Sequence, residues 1–184
     1  DPARYVPVGD AWGRPIAVNP HDHRYSFQTL VLTGSLTNVV YHRDLSVGAG
    51  YQARSYDTFE FRSALGRGGP PDITRLSQRY SLAFSHELTL APGEAYHCDP
   101  ADIHSVIPHP WRETIVCLFQ HADVAETSRL YSRPDSPPSF EGLYQSLTKE
   151  AAQDILRKAN RAARMVLTDC LGHRMARLVG RDLP

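Results

Sequence analysis

The stretch NPHDHRYSFQTLVLTG, residues 19–34, decides how this chain is interpreted. It places His21 and His23 two residues apart, just ahead of a strand-like run that closes at Gly34. Side chains alternate along an extended strand, so histidines at i and i+2 project to the same face. Two neutral imidazoles on one face can converge on a single metal ion. The pattern therefore predicts His21 and His23 as metal ligands, with a pair of surface histidines as the alternative.

A third ligand is expected from the stretch LAPGEAYHCDPADIHSV, residues 90–106. His104 follows the Pro/Asp turn and opens another strand-like segment, so it would complete a triangular face of three imidazoles. His97 competes for this role and ranks below it. Asp22, between the first two ligands, is expected to face away and to hydrogen-bond locally. The other histidines of this region, expected to be structural or exposed, are His42, His86, His109 and His121.

Strand-like segments separated by turns fill the first two thirds of the chain. Residues 25–42 are split by a turn at Gly34, and further segments cover 51–62 and 79–90, with three more between 95 and 120. Strands at roughly 8–12-residue spacing predict an all-β sandwich or barrel. Residues 63–75 carry three Gly and two Pro and are predicted to form a surface loop or lid.

The sequence changes character near residue 122, which predicts three parts. Residues 1–122 would form a β-barrel with an N-terminal arm, 123–145 a Pro/Ser-rich linker, and 146–184 a helical extension packed on the barrel or on a partner. Thr148 is the expected N-cap, and Gly172 is a candidate break between two helices. Apolar residues at helical spacing form the predicted packing face: Ile155, Ala159, Ala162, Val166 and Cys170.

Composition narrows the class of protein. The 184 residues suit one full-sized domain, and Lys+Arg 20 against Asp+Glu 20 argues against a nucleic-acid or anionic-membrane partner. No apolar run approaches the roughly 20 residues that span a bilayer. Cys98, Cys117 and Cys170 are few, odd in number and widely spaced, which is typical of free thiols in a reducing compartment. A cytoplasmic protein is expected.

These residues resemble the motifs of the cupin superfamily over about residues 19–120. The first cupin motif is two His separated by one residue, three further residues, a Glu, six residues and a Gly. Here His21, His23 and Gly34 match in register, Phe27 stands at the Glu position, and His104 fits the second motif. The resemblance implies a single cupin barrel, also called a double-stranded β-helix or jelly roll, with a three-histidine site.

Within the superfamily the chain is similar to thiol dioxygenases of the cysteine dioxygenase type. Their first motif also opens His-Asp-His and continues with Phe, alternating Leu and Gly, comparable to SFQTLVLTGSL. Their second motif is comparable to AYHCDPADIHSV. This resemblance implies Fe(II) and O2 chemistry. It does not extend to the last barrel strand, where those enzymes carry a His and a Tyr and this chain has Leu118 and Gln120, nor to their substrate-binding Arg.

The predicted function is a mononuclear non-haem metal-dependent oxygenase or dioxygenase that acts on a small polar, amino-acid-like or thiol molecule. Fe(II) suits three imidazoles with open positions for substrate and O2, while Zn, Mn, Ni or Cu would accept the same ligands. An O2-independent metal-assisted isomerase or lyase and a non-catalytic small-molecule-binding cupin are the alternatives. A homodimer formed through the C-terminal helices is a further hypothesis.

The predicted pocket surrounds the histidines. Tyr25 and Phe27 share the inward face of the first strand, and Tyr25 is the best candidate for a catalytic acid or base. Residues expected deeper in the pocket, around the ligands or as the substrate anchor are Thr29, His42, Arg54, Arg62 and Arg79.

Overall fold

The computed structural model describes residues 8–9, 11, 13–43, 53–62, 72–135 and 148–179, with side chains up to residue 169. Ten strands precede one helix in these ranges. They are β1 (Val8–Gly9), β2 (Pro15–Ile16), β3 (Phe27–Thr33), β4 (Leu36–Arg43), β5 (Arg54–Arg62), β6 (Asp72–Leu90), β7 (Ala95–Cys98), β8 (Ile103–Pro108), β9 (Ile115–Gln120), β10 (Ser128–Ser132) and α1 (Lys149–Val179). The predicted β-rich, barrel-like fold is confirmed at this level, because these strands form curled antiparallel sheets.

A three-stranded sheet, β7-β3-β9, forms one wall of the barrel-like body. In its register Phe27 lies opposite Cys98 on one side and Gln120 on the other. The first core joins this sheet to residues of β4 and β6. Its buried members are Phe27, Val31, Leu36, Leu90, Tyr96 and Cys98. This core therefore lies between the two large sheets.

The five-stranded sheet, β10-β5-β6-β4-β8, is curled, and a single residue connects its two edge strands. His21 forms a bridge with His104 on edge strand β8 and another with Leu130 on edge strand β10. The sheet encloses a second core of its own, since every buried member comes from its five strands. These members are Val39, Tyr41, Tyr56, Leu82, Ile103 and Tyr131.

The turn between β3 and β4 connects the two sheets at Gly34. This glycine has φ +70°, a left-handed conformation that L side chains rarely adopt. A Cβ there would lie 2.5 Å from Thr114 Oγ1 and 2.9 Å from the Glu113 carbonyl oxygen. Gly34 is thus required both by backbone conformation and by the close approach of the neighbouring chain.

Helix α1 packs against the three-stranded sheet, through contacts with β3 and β9. The predicted N-cap is confirmed, because Thr148 Oγ1 accepts a hydrogen bond from the Ala151 backbone N–H at 3.2 Å. Of the predicted packing face, Ala162 is buried, whereas Ile155 is 48% exposed. The helix runs on through Gly172 without the expected break.

Two further segments differ from the sequence prediction. Residues 72–75, predicted as loop, extend β6, where Arg75 lies opposite Phe59 of β5 and pairs with Asp57; residues 63–71 lie outside the described ranges. Strand β10 occupies part of the predicted 123–145 linker, because pairing with β5 supplies a ladder that composition does not reveal. The three-part division of the chain stays a prediction. Across the described ranges, no helix is both long enough and apolar enough to cross a membrane.

A candidate metal centre

The predicted ligands His21, His23 and His104 come together in space. Their ligand atoms all lie within 4.8 Å of one another, and among the described residues no acidic or cysteine side chain joins the cluster. The ring centroid of His21 lies 4.7 Å from that of His23 and 4.8 Å from that of His104. Backbone hydrogen bonds between His21 and His104, each of 3.0 Å, hold the two segments side by side. The convergence predicted from sequence is therefore present.

Hydrogen bonds fix the orientation of two of the three rings. Nδ1 of His21 lies 2.9 Å from the Asn19 carbonyl oxygen, and Nδ1 of His104 lies 2.7 Å from Asn38 Oδ1. Both oxygens are acceptors, so each Nδ1 carries the proton and donates. The Nε2 lone pair of His21 is then left for another partner, and that of His104 faces Nε2 of His23 at hydrogen-bond distance, 2.8 Å. An imidazole held in this way by its second nitrogen is typical of metal-ligating histidines.

Burial keeps all three rings neutral. Desolvation lowers the pKa of His23 to about 3, with a further contribution from the neighbouring His21. Burial also lowers the pKa of His104 well below its ordinary value and, against the hydrogen bond to Asn19, lowers that of His21. A neutral imidazole is the form that binds a metal ion, so no proton has to be removed at neutral pH.

The donor set fits a divalent metal ion. Nε2 of His23 and Nε2 of His104 are 2.8 Å apart. Two nitrogens bound at about 2.1 Å to one ion lie at most about 4.2 Å apart, so the widest separation in this cluster, within 4.8 Å, would narrow when a metal binds. Three imidazoles without a carboxylate suit Fe, Zn, Cu or Ni and do not discriminate among them. These three histidines can hold a metal ion.

Aromatic rings line the cluster on the side of the first core. The Phe27 ring lies 4.6 Å from that of His23 and 5.7 Å from that of His104, and the Tyr25 ring lies 5.4 Å from that of His23. Burial raises the pKa of Tyr25 and, to about 12, that of Tyr96. Both phenols are protonated at neutral pH, so Tyr25 would act as a proton donor. Its catalytic role stays a prediction.

Asp22 faces the second core and makes long-range contacts, not the local ones expected. Its Oδ1 accepts the Arg129 backbone N–H, and its Oδ2 accepts the Tyr131 hydroxyl at 3.2 Å and Arg43 Nη2 at 3.3 Å. Burial nevertheless raises the pKa of Asp22, outweighing the contacts with Arg129, Tyr131 and Arg43. The sequence separation of these partners hides the network from sequence analysis.

Other predicted site residues lie apart from the three rings. Asn38, not His42, contacts His104; Nε2 of His42 lies 2.7 Å from Ser85 Oγ instead. The predicted arginine anchors are all exposed. Arg62 lies 3.6 Å from Glu126, and Arg79 Nε lies 2.7 Å from Asp57 Oδ1, while Arg54 opens β5.

Of the remaining pocket and histidine predictions, Thr29 is buried on the same face of β3 as Phe27. His97 is exposed and lies 3.0 Å from Asp99, so it does not join the cluster. His86 and His121 are also exposed, as expected.

A cavity of about 480 Å³ opens beside His23. Arg43 and Arg129 lie on its wall, and neither is among the site residues predicted from the sequence. Arg43 ends β4 and Arg129 belongs to β10, so only the curling of the five-stranded sheet brings them together. His42 also lines this cavity.

Comparison of the chain with protein-family models, with curated proteins and with solved structures finds no match. Its functional interpretation therefore depends on the histidine cluster and its surroundings.

Proposed function

We propose that the chain is a mononuclear non-haem metal enzyme, with iron(II) bound by His21, His23 and His104, that oxidises a small polar molecule with O2. The observation that carries this proposal is the cluster of three neutral imidazoles, His104 buried and His21 and His23 half-buried, with no carboxylate from the described residues. Three protein ligands leave positions open for other molecules, which is the arrangement of non-haem iron oxygenases. Bound iron would supply the redox chemistry that no side chain of the cluster can supply.

The protein's own contribution would be orientation and exclusion of water. Asn19 and Asn38 hold the imidazoles of His21 and His104 through Nδ1. Phe27, which is 1% exposed, and Tyr25 cover the side of the site next to the first core. A site walled by aromatic rings is partly dry, which strengthens electrostatic interactions with a bound substrate. The Tyr25 hydroxyl would hold a proton beside His23.

The cupin barrel is the fold proposed for this site. The antiparallel sheets, the ligand pair preceding β3 and the third ligand on β8 agree with the cupin motifs matched in the sequence. Phe27 occupies the position of the cupin glutamate and packs against His23 and His104. The three-histidine class follows from this replacement of a carboxylate by an apolar ring.

Metal content and oxygen uptake test the proposal. Full-length protein is loaded with iron(II) without oxygen, desalted and assayed for metal, beside His104→Ala and the control His97→Ala. We expect about one equivalent of iron in the wild type and in the control, because His97 is exposed and bonded to Asp99. His104→Ala should lose the metal, since the third donor is gone. Oxygen uptake is then measured with a panel of amino acids and thiols.

Three outcomes would contradict the proposal. A wild type that binds no metal would remove the metal centre. Equal metal content in the wild type and His104→Ala would place the ion elsewhere. Substrate turnover without oxygen consumption would favour an isomerase or lyase over an oxygenase. Circular dichroism of His104→Ala separates loss of the metal from loss of the fold.

A further inference from the structure

The cavity beside His23 lies where the curled five-stranded sheet opens at one end. Its wall includes Asp22, Tyr41, Arg43, Asp102 and Arg129. These residues come from the segment before β3, from β4, from the turn before β8 and from β10. The volume of about 480 Å³ is within the range of cavities that bind small molecules.

Two guanidinium groups on this wall have buried donors without a partner. The Nε atoms of Arg43 and Arg129 are both buried, and neither has a hydrogen-bond acceptor among the described residues. Arg43 uses Nη2 for Tyr131 and Asp22, which leaves its Nε side unsatisfied. Asp22 accepts the Arg129 backbone N–H and attracts the Arg129 guanidinium electrostatically, but no hydrogen bond within the described residues reaches the Nε of that guanidinium.

The carboxylates on the cavity wall do not accept hydrogen bonds from the Nε donors of Arg43 and Arg129. Asp22 already accepts hydrogen bonds from Arg43, Tyr131 and the Arg129 backbone. Asp102 is exposed, and its Oδ2 accepts the Asp99 backbone N–H at 2.9 Å. A buried N–H of a charged group costs free energy when it has no acceptor. A guanidinium fork matches the geometry of carboxylate and phosphate oxygens.

We propose that this cavity is an anion-binding site, in which the guanidinium groups of Arg43 and Arg129 hold the oxyanion of a small molecule. Carboxylate and phosphate share the chemistry that such a pair recognises. The site stands on its own donors and does not depend on a metal at the histidines. His23 is the one residue that belongs both to this cavity and to the histidine cluster.

Calorimetric titration of full-length protein, with and without iron(II), tests the site. Succinate and inorganic phosphate are the two probes, and sodium chloride at matched ionic strength is the blank. We expect saturable one-to-one binding of at least one probe in both forms of the protein. Arg129→Gln should weaken that binding by about tenfold or more, because a charge-assisted contact is lost. The control Arg112→Gln, an exposed arginine outside the cavity, should leave it unchanged.

Absence of saturable binding by both probes would overturn the proposal, as would equal affinity in the wild type and Arg129→Gln. Thermal melting shows whether Arg129→Gln is folded; if it is not, Arg129→Lys replaces it, and loss of the fork should still weaken binding. Binding in protein without iron separates this proposal from the proposed function. A chain that binds anions and no metal would retain this site and lose the metal centre.

Discussion

Two faces of one short segment behave differently in this protein. His21 and His23 point to the side of the first core. There their neutral rings lie beside that of His104, and no acidic side chain of the described residues joins them. Asp22, between them, points into the second core and is held by Tyr131, Arg43 and the Arg129 backbone. One face presents donors to a cation, and the other satisfies its charge within the protein.

The difference shows how three consecutive residues can place a candidate site on one side and the contacts that support it on the other. Burial lowers the pKa of the histidines on one face, because the loss of hydration outweighs the one hydrogen bond, from His21 to Asn19, that favours the charged form. On the other face an acid is retained in the interior by hydrogen bonds from distant strands. The hydrogen bonds of Asp22 thereby hold the backbone that positions His21 and His23. This interpretation predicts different responses to substitution on the two faces.

The largest effect is expected for Asp22→Ala. Its removal takes the carboxylate from Arg43 and leaves the Arg129 backbone N–H without its acceptor, while Arg43 and the Tyr131 hydroxyl stay bonded to each other. Breaking a buried pair in this way costs about 3 kcal/mol of unfolding free energy. Urea unfolding measures it. The control Asp123→Ala, which removes the more exposed carboxylate of a pair with Arg24, should cost less than about 1 kcal/mol. Equal losses in the two variants would show that the second face supplies no special support.

Gly34→Ala tests the turn that joins the two sheets. A methyl group at φ +70° would also meet Thr114 and the Glu113 carbonyl, so we expect a loss of about 2 kcal/mol or more in unfolding free energy. Gly13→Ala is the matched control. Gly13 has φ +77° with nothing within 4 Å, and its substitution should cost only the conformational strain, about 1 kcal/mol. A smaller loss at Gly34 than at Gly13 would contradict the close approach.

The histidine face should make stability fall in mild acid. His23 has a pKa of about 3 in the folded chain against 6.5 for its ordinary value, so the unfolded chain takes up the proton first. Its contribution is complete above pH 6.5 and is lost as pH falls toward 3. The loss is about 2 kcal/mol at pH 5 for protein without metal.

His23→Gln is the reference for this pH profile. Asp22 changes stability with pH in the opposite direction to His23. Its raised pKa lets the folded chain take up a proton more readily than the unfolded one, so its contribution grows as pH falls. Subtracting the profile of the variant from that of the wild type leaves the histidine contribution. A wild type whose unfolding free energy falls no more steeply than that of His23→Gln would show that His23 is not held neutral.

The smallest effect is expected for Tyr131→Phe. It removes a hydroxyl that donates to Asp22 and accepts from Arg43 and should cost about 1 kcal/mol of unfolding free energy. Tyr80→Phe, whose hydroxyl donates only to exposed Gln78, is the control and should change stability by less than about 0.5 kcal/mol. If iron content stays at one equivalent in Tyr131→Phe, the hydroxyl supports the fold without shaping the site.

Much of the candidate site was predictable because its signals are local. His21 and His23 share a face through the two-residue period of an extended chain, and Thr148 caps α1 within one turn. Asn38 was harder to predict. It shares a strand face with His42, and only the register of β4 against β8, with Asn38 opposite Val106, decides which of the two reaches His104.

Local patterns are enough to predict the β-rich class and the three histidines that come together, since alternation and turn chemistry act over a few residues. Features that depend on distant strands follow only from the packing of the chain. Packing connects β8 and β10 through His21, so that the sheet encloses a second core. Asp22, for which a local contact was predicted, instead bonds to residues of distant strands. Packing also brings Arg43 and Arg129 to one cavity. Strand order and register arise from packing across the whole chain, and no short stretch of sequence encodes them.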